Sequence, residues 1–391
     1  MTIELLSPAG NLEKLKIAVL YGASAVYVSG GQFGLRSAAD NFSSSDLAEA
    51  VKFAHARGRK VYVTLNAFLH DQELERLPAF LAILSQIGPD AVICSDLGVV
   101  ESVRQFTTLP IHVSTQASVL NVYHALVWKE LGVKRVVVGR ELSILEAAEI
   151  KRKTNLEIEM FVHGAMCMAV SGRCSISTYV ALRDSNRGGC IQNCRFKYRL
   201  YPEGRAPIDA YPLNSKDLCG MRVLKRFVDC GIDSIKIEGR MKSNLYIATT
   251  TRCYARALSE LKSTGDYREK YWSGELTKIP HRDYTEGSLI SPAGPDSVYN
   301  QTSRAASGYK MAGTVLEVDR DNRRFVFYAK NKLNVGDTIE IMTFGGEIIT
   351  LKLRRLINLV GREMRMVQPE NAFWIPWKKG IEPQNVGRVR R

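Results

Sequence analysis

The sequence predicts a (β/α)8 barrel, similar to a TIM barrel, followed by a small antiparallel β-barrel domain. Two observations lead to this prediction. Over the first 240 residues, short β-branched apolar runs alternate with amphipathic helical stretches, and after Arg256 this rhythm stops. Strand–helix alternation is typical of a parallel sheet, and eight such units close into a barrel. A doubly wound open sheet is the alternative, but no G-x-G-x-x-G motif follows the first strand.

The eight predicted strands are runs rich in β-branched and other apolar residues. In chain order they are Ile3–Leu6, Ala25–Ser29, Lys60–Asn66, Ala91–Ser95, Ile111–Thr115, Arg135–Gly139, Ile158–His163 and Ser234–Glu238. Helices are predicted between them from apolar residues at helical spacing. They are Asp46–Arg57, Leu97–Gln105, Asn121–Leu131, Leu142–Lys153 and Lys216–Cys230.

The composition divides the chain into successive regions. Residues 1–261 form the predicted barrel, with a Cys-rich insertion at 164–215. Residues 262–305 are rich in Gly, Ser, Pro, Asp and Tyr and are predicted to be a linker or cap. Residues 306–391 contain short alternating runs separated by turns, which is typical of a small antiparallel β-barrel.

The chain is strongly basic, with a net charge of +14 and a pI near 9.4. Residues 352–391 alone carry ten Lys or Arg and three acidic residues. Such a charge indicates a polyanionic partner, of which nucleic acid is the commonest, although a solvated basic surface is the alternative. The aromatic residues of the second domain are candidate RNA-stacking platforms or core residues: Tyr328, Phe344, Phe373, Trp374 and Trp377.

The chain lacks the patterns of a secreted or membrane protein. The start MTIELLSPAG has no basic segment followed by a long apolar run, and no stretch approaches 18 uninterrupted apolar residues. We therefore expect a cytoplasmic protein without a membrane partner. Its eight cysteines then indicate metal-binding, catalytic or buried thiols rather than a disulfide framework.

Four cysteines in the insertion have the spacing C-x6-C-x15-C-x3-C: Cys167, Cys174, Cys190 and Cys194. Thiolates select zinc or iron–sulfur clusters over hard cations. Zinc ribbons usually present two short knuckles, and only the second pair here is short, so the spacing favours an iron–sulfur cluster. The alternative is that these are small buried apolar residues.

Polar residues cluster at the ends of the predicted strands, where a barrel of this class has its active site. They are Ser7, Ser29, Asn66, Asp96, Gln116, Arg140, Glu141, His163, Glu238 and Arg240. The Cys-rich insertion directly follows the seventh predicted strand, so it should lie over the same mouth of the barrel. The sequence therefore predicts that the thiols and these polar residues share one site.

The segment EMFVHGAMCMAVSGRCSIS, Glu159–Ser177, resembles the signature of the collagenase-like peptidase family U32. Further segments match the family: ELLSPAGNLEKLKIAVLYGASAVYVSG, RSAADNF, HVSTQASVLN, VVVGREL, LNSKDLCGM and IKIEGRMKS. The resemblance covers about residues 1–260, and the β domain after residue 305 is similar to the family's carboxyl-terminal domain.

The resemblance implies a function different from the family's name, because its members are similar to oxygen-independent hydroxylases of tRNA uridine, ribosomal RNA cytidine or a ubiquinone precursor. It implies a 4Fe–4S cluster held by four Cys, with prephenate as hydroxyl source. The segment GGCIQNCRFKY and the basic β domain are similar to the branch that makes 5-hydroxyuridine at the tRNA wobble position. The implied partners are tRNA, the small dicarboxylate co-substrate and the iron–sulfur assembly machinery, with a paralogous subunit as a further candidate. Cys219 or Cys230 could replace Cys194 as the fourth ligand.

The candidate site residues have the following expected roles. Arg binds carboxylates bidentately, so Arg36, Arg140 and Arg240, which lie nearest the predicted strand ends, are candidates to bind the dicarboxylate. The alternative is ion pairing with Glu141 and Glu238. His163, Gln116 and Asn66 are expected to orient substrate, or His163 to transfer a proton, and Glu238 is a fourth candidate catalytic residue.

Two other functions stay open from the sequence. The chain has no H-E-x-x-H or G-x-S-x-G motif, so a peptidase would need a Cys–His pair made by His163 and Cys167. The second alternative is a non-catalytic RNA-binding scaffold.

Overall fold

A computed structural model of the chain describes residues 3–35, 40–300 and 307–391. Eight parallel strands form the barrel: β1 (Glu4–Pro8), β2 (Ala25–Val28), β3 (Lys60–Leu65), β4 (Ala91–Cys94), β5 (Ile111–Val113), β6 (Arg135–Val137), β7 (Glu157–Ala165) and β8 (Ser234–Ile237). Each strand pairs with the next, and β8 closes the ring by pairing with both β7 and β1. The predicted barrel is confirmed.

Helices cover the outside of the barrel: Leu12–Leu20, Ser44–His55, Asp71–Leu74, Leu77–Ile87, Leu97–Phe106, Val122–Glu130, Ile144–Thr154, Leu224–Asp229 and Asn244–Thr264. In Ser44–His55 the apolar residues at helical spacing are buried, and Ser43 caps the helix through a capping box with Asp46. Among the described residues, no helix has both the length and the apolar character needed to cross a membrane.

The predicted helix Lys216–Cys230 is wrong in its first half. Asp217–Cys219 is a strand that pairs antiparallel to β7, and the helix begins only at Leu224. Tertiary contacts override the helical pattern here, because the Asp217 carboxylate accepts a hydrogen bond from the Arg282 backbone at 3.0 Å. The Gly220 backbone N–H also donates to the Val162 carbonyl of β7 at 2.7 Å.

The region predicted as a linker or cap packs on the barrel. It contains the end of helix Asn244–Thr264, helix Glu269–Leu276, the short strand Tyr284–Thr285 and helix Pro295–Val298. Trp272 and Leu276 are buried in the same hydrophobic core as the barrel helices.

The carboxyl-terminal domain is antiparallel, as predicted. Its strands are Tyr309–Asp319, Arg324–Ala329, Leu333–Asn334, Thr338–Met342, Ile348–Lys352, Leu356–Asn358, Glu363–Met364, Met366–Val367, Ala372–Pro376 and Val386–Arg390. Eight of them form one sheet around a core that includes Phe325, Phe327 and Phe373. Trp374 is half-buried, and the Arg324 guanidinium carbon lies 4.0 Å from the centroid of its ring.

The two domains share a buried interface. The Tyr21 hydroxyl donates to the Met342 carbonyl at 2.7 Å and accepts from the Val386 N–H at 2.8 Å. Phe344 packs edge-on against Tyr21, with ring centroids 5.0 Å apart. Met342 and Val386 therefore belong to the barrel's hydrophobic core as well as to their own sheet.

Candidate active site

A β-bulge in β7 determines which side chains face the barrel interior. Lys236 of β8 pairs with Phe161, but the next residue, Ile237, pairs with His163, so Val162 is the extra residue. A one-residue shift exchanges the two faces of a strand. Phe161 consequently lines the interior cavity, whereas His163 packs outside it against Tyr246, Tyr254 and Tyr284.

A cavity of about 460 Å³ opens at the carboxyl ends of the strands. The described residues that line it include most of the predicted site: Asn66, Gln116, Arg140, Glu238, Arg240, Cys167, Cys174, Cys190 and Cys194. His163 is not among the lining residues, and Arg36 lies outside the described residues. The structure therefore brings nine of the predicted site residues to one cavity.

Asn66 and Gln116 form a fixed pair of amides on the cavity wall. The Asn66 Nδ2 donates to Gln116 Oε1 at 2.9 Å, with the amide orientations assigned from the hydrogen-bond network. Gln116 is 8% exposed, and Arg173 of the insertion donates from Nε to its backbone carbonyl at 2.7 Å. This hydrogen bond ties the insertion to the strand end that carries Gln116.

Arg140 is held at the cavity by two contacts. Its Nη1 donates to the Ala165 carbonyl at 2.6 Å, and its guanidinium carbon lies 3.9 Å from the centroid of the Phe161 ring. Burial lowers the pKa of Arg140, and the nearby Glu238 and Cys167 partly oppose this. A guanidinium stays protonated in proteins, so Arg140 supplies a fixed positive charge.

The other charged residues of the site have their own contacts. Arg240 is 4% exposed and donates from Nη2 to Asn41 Oδ1 at 2.6 Å. Glu141 accepts from the backbone and the hydroxyl of Ser171, at 2.8 and 3.2 Å, which ties the loop after β6 to the insertion. Among the described residues, no ion pair joins Arg140 to Glu141 or Glu238, so the alternative of simple ion pairing is not observed for Arg140.

Lys236 is a site residue that the sequence reasoning missed. It lines the cavity from β8, donates to Glu159 Oε1 at 2.9 Å, and lies 4.5 Å from the centroid of the Tyr27 ring. Burial raises the pKa of Glu159, but Lys236 and Arg135 outweigh it and hold that pKa below its ordinary value. The sequence does contain a signal for this residue. Lys236 and Glu238 alternate with the apolar Ile235 and Ile237, so Lys236 lies on the same face of the strand as the predicted site residue Glu238.

The four predicted cysteine ligands converge on the cavity. Cys167 is exposed, and Cys174, Cys190 and Cys194 are partly buried. Burial raises the pKa of Cys194, Arg195 lowers it, and the three other thiols raise it further, so Cys194 lies within electrostatic reach of Cys167, Cys174 and Cys190. Within residues 3–35, 40–300 and 307–391, no three His, Cys, Asp or Glu side chains are grouped closely enough to hold a metal ion. The donor set of four thiols on one wall fits a soft metal centre by its chemistry.

The alternative fourth ligands lie elsewhere. Cys219 is not among the described residues that line the cavity, and its Sγ lies 3.8 Å from the Tyr254 hydroxyl. Burial raises the pKa of the Cys219 thiol to about 11. Cys230 also lies outside the cavity lining, and Cys94 and Cys253 are buried.

The insertion is anchored where it leaves and rejoins the barrel. Arg195 Nη1 donates to the Ser215 carbonyl at 2.9 Å, and the Ser215 hydroxyl donates to the Met166 carbonyl at 2.7 Å. Gly164 has a φ of +109°, and a Cβ there would lie 2.6 Å from the Glu238 carbonyl oxygen. A glycine is therefore required where the chain turns from β7 into the insertion.

Residues 10–298 match the profile of Peptidase family U32, and residues 307–388 match that of the family's C-terminal domain. This chain belongs to the U32 family. This U32 chain is 40% identical to the tRNA hydroxylation protein P1 of Bacillus subtilis, covering 98% of this chain and 94% of that protein. It is 32% identical to the tRNA hydroxylation protein P of Escherichia coli, covering 97% and 94%. The 23S rRNA 5-hydroxycytidine C2501 synthase of Escherichia coli is 40% identical over 73% of this chain and 45% of that protein.

Proposed function

We propose that this U32 protein hydroxylates the wobble uridine of tRNA to 5-hydroxyuridine, with a 4Fe–4S cluster as cofactor and prephenate as hydroxyl donor. The observation that supports this most is the convergence of four thiols with cationic and amide side chains on one barrel-mouth cavity. The names of the RNA-hydroxylating relatives support the same reaction class.

The residues that would hold the cluster are Cys167, Cys174, Cys190 and Cys194. When bound, a 4Fe–4S cluster supplies one-electron redox chemistry at the cavity wall. Arg195 would favour Cys194 as a ligand, because the thiolate is the form that binds metal. The positive charge of Arg195 lowers the pKa of the Cys194 thiol and so opposes the effect of burial.

The cavity suits an anionic co-substrate. Arg140, Arg240 and Lys236 line it and supply positive charge for the two carboxylates of prephenate. The reaction balances as an exchange in which uracil C5–H becomes C5–OH and the donor's C–OH becomes C–H. The donor therefore accepts the two electrons that leave the uracil, and no separate oxidant is required.

The polar side chains suit a uracil ring. Uracil presents carbonyl oxygens and an imide N–H, which an amide side chain can match with its own donor and acceptor. The hydrogen-bonded pair Asn66 and Gln116 would orient the base, and Glu238, a carboxylate that lines the cavity, would take the C5 proton. The position of His163 outside the cavity speaks against a role for it in proton transfer.

The peptidase alternative lacks geometric support. Cys167 lines the cavity, but His163 lies on the other face of β7, so the two do not form a nucleophile–base pair. The described residues that line the cavity include no histidine.

We further propose that the basic carboxyl-terminal domain recruits tRNA and that the protein acts in the cytoplasm. The assembly machinery for iron–sulfur clusters would load the thiols, and a paralogous subunit is a further candidate partner. Arg354, Arg362 and Arg365 are exposed on this domain, as phosphate contacts require.

Mass spectrometry of nucleosides from a strain that lacks this gene tests the proposal. Loss of 5-hydroxyuridine and its derivatives from tRNA, restored by the wild-type gene but not by Cys174→Ser, is the expected result. Unchanged wobble uridines together with missing hydroxycytidine in ribosomal RNA would reassign the substrate. No change in either RNA would refute the hydroxylase.

A further inference from the structure

Exposed apolar side chains are concentrated in the Cys-rich insertion. Tyr179 is 86% exposed, Leu182 91% and Tyr201 75%. Val180, Phe196 and Ile208 of the same insertion are also exposed. Exposed apolar side chains that are grouped in one segment are typical of a binding surface, whereas singly scattered ones are normal on any protein.

The segments that carry these side chains connect directly to the lining of the cavity. Helix Ile176–Ala181 carries Tyr179, and its residue Ser177 is buried and lines the cavity. A hairpin, Tyr198–Leu200 paired with Ile208–Ala210, carries Tyr201 at the end of its first strand. The hairpin leaves the barrel mouth after Cys194 and returns at Leu213, and both of these residues line the cavity.

The two strands of the hairpin form a separate sheet to which no other described strand is added. An isolated two-stranded hairpin is only marginally stable in water. A ligand that covers its exposed face would therefore order it.

The same rim is basic. Residues 164–215 contain seven Lys or Arg against three Asp or Glu. Arg183, Arg199 and Arg205 are exposed, and no ion pair to them occurs among the described residues. Exposed rings interleaved with unpaired guanidinium groups suit a ligand with both flat bases and phosphates.

No described residue of the carboxyl-terminal domain lines the cavity. Every described residue that lines the cavity lies at or before Tyr299. A nucleotide entering the cavity must therefore be held by the barrel mouth itself.

We propose that the rim formed by helix Ile176–Ala181 and hairpin Tyr198–Ala210 binds single-stranded RNA. Tyr179 and Tyr201 stack on bases that flank the target, and Arg183, Arg199 and Arg205 contact the adjacent phosphates. The inference rests on the proposed function, since it names the residues that present an unpaired nucleotide to the cavity.

The test measures binding of a fluorescent RNA hairpin with a seven-nucleotide loop to the full-length protein. Base–aromatic stacking contributes to affinity for single strands, so the double variant Tyr179→Ala/Tyr201→Ala should bind about tenfold or more weakly. The triple variant Arg183→Gln/Arg199→Gln/Arg205→Gln should bind more weakly and show a flatter dependence on salt concentration.

Matched controls separate stacking from folding. The double variant Tyr179→Phe/Tyr201→Phe keeps both rings and should bind like wild type. Phe106→Ala removes a ring that is 48% exposed at the end of helix Leu97–Phe106, on the opposite side of the barrel from the mouth, and should also leave affinity unchanged.

Wild-type affinity in the alanine double variant would refute the inference. A wild type that self-associates through this rim, and a double variant that does not, would show instead that the surface joins copies of the chain. Nucleoside analysis tests the hydroxylase activity separately. If the rim variants lose RNA affinity but the wild-type protein does not hydroxylate uridine, only the proposed activity is refuted. If the wild-type protein hydroxylates uridine but the alanine double variant keeps its RNA affinity, only the role of the rim is refuted.

Discussion

Arg388, in the last strand of the chain, donates from Nη2 to Glu275 Oε2 at 2.8 Å, and this buried ion pair joins the two domains. Glu275 also pairs with Arg252 of the barrel and with Lys278, and Arg388 pairs with Glu340. The cations outweigh burial and hold the pKa of Glu275 below its ordinary value. The carboxyl-terminal domain is therefore part of one folding unit with the barrel, and point variants test its role better than deletion.

The interface predicts a large stability effect at Glu275. Glu275→Ala should lower the free energy of unfolding by about 3 kcal/mol, because Arg252 and Arg388 lose their shared buried counterion. Urea unfolding at pH 7 measures this. Glu382→Ala is the control, since its pair with Arg320 at 2.9 Å is exposed and worth less than about 1 kcal/mol. Equal losses in the two variants would contradict the prediction.

The cluster proposal predicts two classes of cysteine variant. The single variants Cys167→Ser, Cys174→Ser, Cys190→Ser and Cys194→Ser should each lose bound iron, the absorbance shoulder at ~400 nm and activity together, because thiolates are the ligands of such clusters. Cys219→Ser and Cys230→Ser should keep all three. Iron analysis of anaerobically purified protein distinguishes the two classes. If Cys194→Ser keeps its full iron content and Cys219→Ser loses its iron, the fourth ligand is Cys219.

Arg140 should determine the affinity for the hydroxyl donor. In Arg140→Lys a point charge replaces a planar group that stacks on Phe161 and bonds to Ala165 at the same time. The apparent KM for the donor should rise about tenfold, which corresponds to ~1.4 kcal/mol, while the affinity for tRNA stays constant. A change confined to tRNA affinity would overturn the assignment of Arg140 to the co-substrate.

His163 should make stability depend on pH. Burial lowers its pKa to about 3, so between pH 6.5 and 3 the unfolded chain binds a proton that the folded protein does not. Folding stability therefore falls as the pH drops below 6.5. His163→Phe should reduce the loss of stability between pH 7 and pH 5 by about 2 kcal/mol. Urea unfolding at both pH values tests this, and an unchanged loss in the variant would show that His163 titrates normally in the folded state.

The barrel could be predicted because each strand carries its own apolar pattern, and the insertion's place after β7 predicted the shared cavity of the thiols. Two errors have the same origin in non-local contacts. His163 was expected at the mouth, but one extra residue, Val162, turns it outward. Lys216–Cys230 was expected to be a helix, but pairing of Asp217–Cys219 with β7 took precedence over the helical pattern. Alternation along a strand cannot show where a bulge lies.

The buried contacts of Tyr21 and Arg388 fix the distance between the basic carboxyl-terminal sheet and the cavity. An RNA that contacts both surfaces must therefore place its reactive nucleotide at a set separation from the part that the sheet grips. Under the proposed function, the overall shape of the folded RNA, and not only the bases beside the target, would select the nucleotide that enters the barrel.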